Sequence, residues 1–280
     1  MKQNYSVLMS VYEKEKPEYL RVSMESMLHQ TVPTNDFVLI CDGPLNEGLD
    51  AVINEMQHKF GSVLRIIRLE QNQGLGHALR LGVNACKNEI IARMDSDDIS
   101  CPERCEKELI ILTVRPEISI VGSVIEEFTE IEHGSSVPAF INAKRVVPEN
   151  SEDIVTFAKK RNPFNHPSVM YRKQAVLEAG NYQGVRYMQD YYLWAHMLIA
   201  GFKGYNIQAP LVWMRADSNL FKRRSGNLYR KIQIDLFKYM KEQGFISNSQ
   251  YLMSCVLRIG SSMAPNWLRQ FMFKKILRKS

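Results

Sequence analysis

The first hundred residues alternate short apolar runs with helical segments, and that alternation restricts the fold more than any other feature of the chain. Tyr5 to Val11, Asp36 to Cys41, Val63 to Leu69 and Glu89 to Met94 have the length and the aliphatic, partly β-branched content of buried strands. Glu18 to Gln30 lies between the first two, with Pro17 suited to a helix start and Leu20, Met24, Met27 and Leu28 at helical spacing. Asp50 to Phe60 predicts a second helix, and a third runs from the Asn72-Gln73-Gly74-Leu75-Gly76 loop through Cys86. Strands and helices that alternate through short connections predict a parallel sheet covered by helices on both faces. The expected fold class is α/β, a mostly parallel central sheet flanked by helices.

Such sheets bind ligands beyond the C-terminal ends of their strands. The residues at those ends are Tyr12-Glu13 after the first strand, Asp42-Gly43-Pro44 after the second, Asn72 and Gly74 after the third, and Asp95-Ser96-Asp97-Asp98 after the fourth. Together they outline a nucleotide-sized cleft. Three carboxylates within four residues repel one another unless a cation sits among them, and a hard divalent ion takes oxygen ligands. One reading is therefore a metal that holds a diphosphate. The other is a solvated acidic turn in which Asp98 or Ser100 caps the next helix.

Beyond Pro102 the pattern predicts a helix over Glu103 to Arg115 and a strand over Ile118 to Val124. Residues 125–150 alternate irregularly around His133-Gly134, as expected of a hairpin or an excursion at the sheet edge. Asp153 to Lys160 reads as a short helix, Asn165 to Arg172 as a turn and a strand, and Lys173 to Ala179 as a short helix ended by Gly180. Met188 opens a helix that has Asp190 in its first turn. Tyr205 and Leu211 to Met214 are strand-like, and residues 226–244 form a longer helix.

The net charge of +6 equals the six basic residues that follow Glu242, the last acidic residue of the 280. The body is balanced and the tail is basic, which argues against a general nucleic-acid binder. Five scattered cysteines, Cys41, Cys86, Cys101, Cys105 and Cys255, favour reduced thiols over a disulfide framework. Cys101 and Cys105 have no His or Cys nearby to complete a zinc site and are expected to pack. No charged-then-apolar leader precedes the first strand and no apolar run approaches membrane-spanning length, so the expected location is cytoplasmic.

Several motifs, in order along the chain, resemble those of the inverting glycosyltransferases of family 2, which have the GT-A fold. They are Tyr5 to Tyr12, Ser26-Met27-Leu28-His29-Gln30-Thr31, Asp42-Gly43, Asn72 to Leu79, Arg93 to Asp98 with Pro102 and Arg104, and Gln189-Asp190-Tyr191-Tyr192-Leu193-Trp194. The match covers roughly residues 4–220, and its flavour is that of bacterial enzymes of O-antigen, capsule or exopolysaccharide synthesis. The resemblance implies that the backbone at Val11 and Tyr12, with Glu13, Asp42 and Gly74, holds the uracil and ribose of a UDP-sugar. Asp95 sits near the ribose and the metal. Asp97 ligates Mn²⁺ or Mg²⁺ on the diphosphate, and Asp98 lies close by. Asp190 is the general base, preceded by Gln189 where the family often carries Glu. From the residues alone, Asp190 also suits the dipole of a helix start. No third metal ligand is assigned at Arg215-Ala216-Asp217.

Candidates for the acceptor or a diphosphate are Asp98, His166, Gln189, Trp194, Arg223 and Arg224. His166 fits either an acceptor contact or a loop histidine bonded to backbone. The Lys222-Arg223-Arg224 cluster fits either a diphosphate or a solvated surface. Residues 1–220 are expected to form the catalytic domain, with a nucleotide-binding half to residue 100 and an acceptor-binding half after it. Residues 221–280 form a helical extension. Its Trp267, Phe271, Met272 and Phe273 lie among basic residues, which points to peripheral contact with an anionic leaflet or to packing on the body. The resemblance adds a lipid-diphosphate-linked saccharide as acceptor, at the inner face of the plasma membrane. A sugar nucleotidyltransferase would want a glycine-rich loop after strand one, where Ser10-Val11-Tyr12-Glu13 has no glycine. A non-catalytic nucleotide-sugar-binding subunit would have no use for a base.

Overall fold

The computed structural model describes residues 4–132, 137–216 and 226–263, with side chains to residue 257. The first half follows the expected alternation: β1 (Tyr5–Val11), α1 (Pro17–Leu28), β2 (Asp36–Cys41), α2 (Glu47–Phe60), β3 (Leu64–Arg68), α3 (Leu75–Ala85) and β4 (Ile90–Asp95). These strands lie in the order β3-β2-β1-β4, all parallel. Every residue of β2 is buried, as befits a strand covered on both faces. The period of two along β1 sorts its side chains. Val7, Met9 and Val11 pack with Leu20, Met24 and Met27 of α1 and Ile53 and Met56 of α2. Leu8 faces the other way, onto Ala78, Leu79 and Val83 of α3. Helix α2 begins before the expected Asp50, because the side chain of Asn46 caps it by accepting from the Leu49 N–H at 3.0 Å.

The second half comprises β5 (Ile99–Ser100), α4 (Arg104–Val114), β6 (Ile118–Phe128), β7 (Ile141–Arg145), α5 (Ser151–Ala158), β8 (Met170–Arg172), α6 (Lys173–Glu178), α7 (Gln189–Ile199), β9 (Lys203–Arg215), α8 (Asn227–Glu242) and α9 (Asn248–Met263). The sheet continues β4-β8-β6-β9-β5 and is mixed here. β8 runs antiparallel to both neighbours, β9 parallel to β6, and β5 antiparallel to β9. The excursion after β6 includes β7, which pairs antiparallel with Ile125–Phe128. β9 is one strand where the sequence pattern suggests two fragments. Gln208-Ala209-Pro210 interrupts the apolar run, and the β6–β9 register shifts beside Val124 and Pro210, where a proline is tolerated.

Helix α8 packs Leu236, Phe237 and Met240 onto Tyr191 and Ala195 of α7. His133, the Lys222-Arg223-Arg224 cluster and the aromatic-basic tail from residue 264 lie outside the described residues.

Candidate active site

The parallel strands β1, β2 and β4 end on one edge. At the end of β4, Asp95 opens the carboxylate turn, which is gripped by two serines of α1 and by Gln30 just beyond its C-terminus. Ser23 Oγ donates to the Asp95 carbonyl at 2.6 Å. Ser26 Oγ accepts from the Ser100 N–H at 3.0 Å. Gln30 Nε2 donates to the Cys101 carbonyl at 2.9 Å, and its Oε1 accepts from the Cys105 N–H at 3.0 Å. That N–H belongs to the first turn of α4 and has no partner within the helix. Arg104, fully buried, pairs with Glu108 and donates from Nη2 to the carbonyls of Arg93 (2.8 Å) and Val169 (3.2 Å). Cys101 and Cys105 are buried packing residues, as expected.

The three carboxylates have different surroundings. Both oxygens of Asp95 accept from the guanidinium of Arg93, two residues back on the same face of the strand; the Nη1–Oδ2 distance is 2.6 Å. Burial, then the charges of Asp95 and Glu15, push the Asp97 carboxyl up to about 7. Asp98 is buried and accepts from the Arg215 N–H at 2.7 Å. Burial, then Asp97 and Asp95, hold its carboxyl well above the usual range. Two further side chains complete the turn. Ser96 donates to Glu15 at 2.7 Å. The Arg215 guanidinium lies between the rings of Tyr19 (3.7 Å) and Phe128 (4.5 Å) and donates from Nε to the Asp97 carbonyl.

Among the described residues no three His, Cys, Asp or Glu side chains converge to hold a metal ion. The chemistry of the turn nevertheless fits a hard divalent ion completed by oxygens from outside the protein. Asp97 sits among like charges that only a proton or a cation relieves.

On the nucleotide side, Val11 is the buried last residue of β1 and Tyr12 is 38% exposed. The Glu13 carbonyl accepts from Asn46 Nδ2 at 2.9 Å. Asp42 is buried, and its two oxygens accept the N–H groups of Gln73 (2.8 Å) and Gly74 (2.9 Å). Its carboxylate thus fixes the loop that starts α3. Gly43 (φ +92°) lets that loop approach, since a Cβ there would lie 2.7 Å from the Asn72 nitrogen. Gly74, with φ +89°, precedes the first turn of α3.

Across the cleft, Asp190 is half-buried in the first turn of α7 and accepts from Asn162 Nδ2 at 2.6 Å. Gln189 packs against Gly76 of α3, where an added Cβ would lie 3.4 Å from that of Gln189. Tyr182 is buried and feels the charge of both carboxylate groups. Burial pushes its phenol well up; Asp190 and Asp95 push the same way, and Arg93 opposes them.

Two expectations need correction. Trp194 is fully buried, edge-on to Phe164, His166 and Tyr182 and tilted against Tyr171, so it is closed to an acceptor. The His166 ring bonds the Tyr182 hydroxyl at 3.1 Å in place of backbone. Burial, and then Arg93, hold His166 well below its usual range. The sequence reading gives no task to Glu15, Arg93, Asn162, Tyr182 or Arg215, although it names Arg93 in a motif and passes over Arg215 as a metal ligand. Only Arg93 carries a local signal, its place two residues before Asp95 on a strand.

This sheet, parallel in its first half and mixed in its second, with a carboxylate turn at the end of β4, has the GT-A architecture of a glycosyltransferase. Residues 6–195 match the model described as Glycosyl transferase family 2, and the chain belongs to that family. It is 38% identical over 274 residues to the amylovoran biosynthesis glycosyltransferase AmsE of Erwinia amylovora, covering 97% of this chain and 98% of that one. It is 33% identical over 275 residues to the UDP-Gal:alpha-D-GlcNAc-diphosphoundecaprenol beta-1,3-galactosyltransferase of Escherichia coli, covering 98% and 97%. Its fold matches S. aureus TarS 1–349 in complex with UDP-GlcNAc, with a TM-score of 0.66 and 14% identity over 99% of this chain and 77% of that one. A mannosyltransferase from Pyrobaculum calidifontis, in complex with GDP-Man and Mn²⁺, matches with a TM-score of 0.59 and 9% identity over 99% and 80%.

Proposed function

We propose that this family 2 glycosyltransferase moves a hexose or N-acetylhexosamine from a UDP-sugar to a lipid-diphosphate-linked saccharide, with inversion, in the synthesis of a bacterial surface polysaccharide. The observation that carries this reading is the presence of two carboxylate groups: the strand-end turn Asp95–Asp98, and Asp190 in the first turn of α7, held by Asn162. The activity of the E. coli relative supports a UDP-sugar donor and a GlcNAc-diphosphate-polyprenol acceptor.

Asp97, beside Asp95, would hold Mn²⁺ or Mg²⁺. That ion supplies Lewis-acid stabilisation of the charge that builds on the departing diphosphate. An acceptor hydroxyl has a pKa far above 7, and Asp190 takes its proton as the new bond forms. The Asn162 hydrogen bond fixes one oxygen of Asp190 and leaves the other for the hydroxyl. Displacement in one step inverts the anomeric centre, so an α-linked UDP-sugar yields a β-linkage, and no covalent nucleophile is needed. The Val11, Tyr12 and Glu13 segment and the loop held by Asp42 form the nucleoside side of the cleft.

Residues 1–220 would be the catalytic unit and 221–280 the extension that meets the cytoplasmic leaflet. No helix among the described residues is long and apolar enough to cross a membrane. The test is product formation from a panel of UDP-sugars with Mn²⁺ on a synthetic N-acetylhexosamine-diphosphate-lipid. The reading predicts a β-linked product from one preferred donor. A product of retained configuration, or no UDP release from any donor, would overturn it.

A further inference from the structure

The outward side of α9 is apolar, and the proposed chemistry leaves it unused. Leu252, Met253, Val256 and Leu257 are 58–64% exposed. Two of them are followed four residues later by the other two, so all four share one side of the helix. The opposite side is occupied. Tyr251 packs with Leu236, Phe237 and Met240 of α8 and takes the Lys241 ammonium over its ring at 5.0 Å, and Ser254 is buried. Single exposed apolar residues are ordinary, but four adjoining ones on one helix face make a contact surface.

Charge decides what covers it. The chain has no acidic residue after Glu242 and six basic ones, Arg258, Arg269, Lys274, Lys275, Arg278 and Lys279. Asp235 and Glu242 of α8 act on α9 at Tyr251, on its inward side. A basic tail laid over the outward side would find no carboxylate on the helix, and a second copy would bring the same unopposed charge to the contact. An anionic lipid surface opposes that charge and takes up the apolar side chains together, as for a helix that lies in the plane of the interface. On its other side α8 packs against Tyr191 and Ala195 of α7, the helix whose first turn carries Asp190.

We propose that Leu252, Met253, Val256 and Leu257 form a membrane seat, the face by which the protein lies on an anionic leaflet and, through α8, carries the Asp190 helix to a lipid-linked acceptor. The inference rests on the leaflet-facing reading of residues 221–280 and assigns the contact to one helix face, with the basic tail adding charge attraction.

The test is sedimentation of the full chain with vesicles of phosphatidylglycerol and phosphatidylethanolamine, or of phosphatidylcholine alone. Wild-type protein binds the first and not the second. The double variant Leu252→Gln/Leu257→Gln binds the anionic vesicles about 10²-fold more weakly, since burying each leucine is worth about ten-fold or more. Ile110→Gln/Val114→Gln, at exposed positions of α4, leaves binding unchanged. The α9 variant keeps its rate on a water-soluble, short-chain acceptor and loses most of it on the same saccharide carried in the anionic vesicles. Wild-type affinity for those vesicles in the α9 variant overturns the inference; a lowered Tm would then place the tail on this face, and a wild-type dimer broken to monomers would place a second copy there. Wild-type protein that binds neither kind of vesicle overturns it as well. Wild-type protein that binds the anionic vesicles through this face but releases UDP from no donor overturns the donor reading and leaves the seat standing.

Discussion

Replacing Gln30 by methionine tests how the end of α1 supports the active-site turn. Methionine has nearly the same length and shape, so the change removes hydrogen bonds and leaves packing largely intact. Gln30 is buried and bonds four groups: the carbonyls of Ser26 and Cys101, the Ser100 hydroxyl and the Cys105 N–H. The Ser26 carbonyl lies near the C-terminus of α1, close to solvent, and Ser100 Oγ also donates to Cys101, so both keep alternatives. The Cys101 carbonyl keeps the Ser100 hydroxyl and the Arg104 N–H, so the Cys105 N–H is the group left short. A buried polar group without a partner costs about 1–3 kcal/mol. For a chain of this size each kcal/mol lowers Tm by about 2–4 °C, so Gln30→Met should melt roughly 2–12 °C below wild type. The assay is thermal unfolding of both proteins in EDTA, with UDP affinity measured on the same samples. UDP binding should weaken as well, because Ser100 and Cys101 follow directly on the carboxylate turn. A Tm within about 1 °C of wild type would refute the reasoning, since it lies below the smallest cost assigned to the orphaned N–H.

Other perturbations reach the site from different sides. Asp42→Asn replaces one of two accepting oxygens by an amide donor facing a backbone N–H; losing that charged hydrogen bond costs about 1.5–3 kcal/mol and should weaken UDP binding measured by calorimetry. Gly43→Ala combines a left-handed backbone with a Cβ 2.7 Å from the Asn72 nitrogen, so it should lower both Tm and UDP affinity. The Asp97 carboxyl is raised from 3.8 to about 7 in the metal-free fold, so its contribution to stability is present below pH 3.8 and is lost as pH rises through about 7. In EDTA the wild-type melting temperature should therefore fall between pH 5 and pH 8 by more than that of Asp97→Asn, and Mn²⁺ should restore it at the upper end of that range.

The nucleotide side of the fold was legible because its signals are local. β1, β2 and β4 are continuous apolar runs, and each ends at the polar or glycine residue that turns the chain into the cleft. Asp190 was legible for the same reason, as a first-turn aspartate after Met188. Trp194 misled because its spacing from Asp190 says which helix it is on and nothing about which face is covered; α7 buries that face against Phe164 and Tyr171. The two residues of β5 are too few to show a period. The tasks of Gln30, Arg104 and Arg215 depend on partners 70 or more residues away in Gln30's case and 118 for Arg215, contacts that only the closed sheet creates. The Ser26 to Thr31 motif shows the difference well: it is readable as a pattern, but its work, clamping the exit of the carboxylate turn, appears only when α1 lies beside β5.

The central claim is that Asp190 removes the acceptor proton in a glycosyl transfer. The most direct measurement is turnover of Asp190→Ala beside its UDP affinity. The account predicts a loss of turnover of about 10²–10⁴-fold, with UDP binding close to that of the wild type. Turnover retained within ten-fold, with UDP still bound, would contradict it.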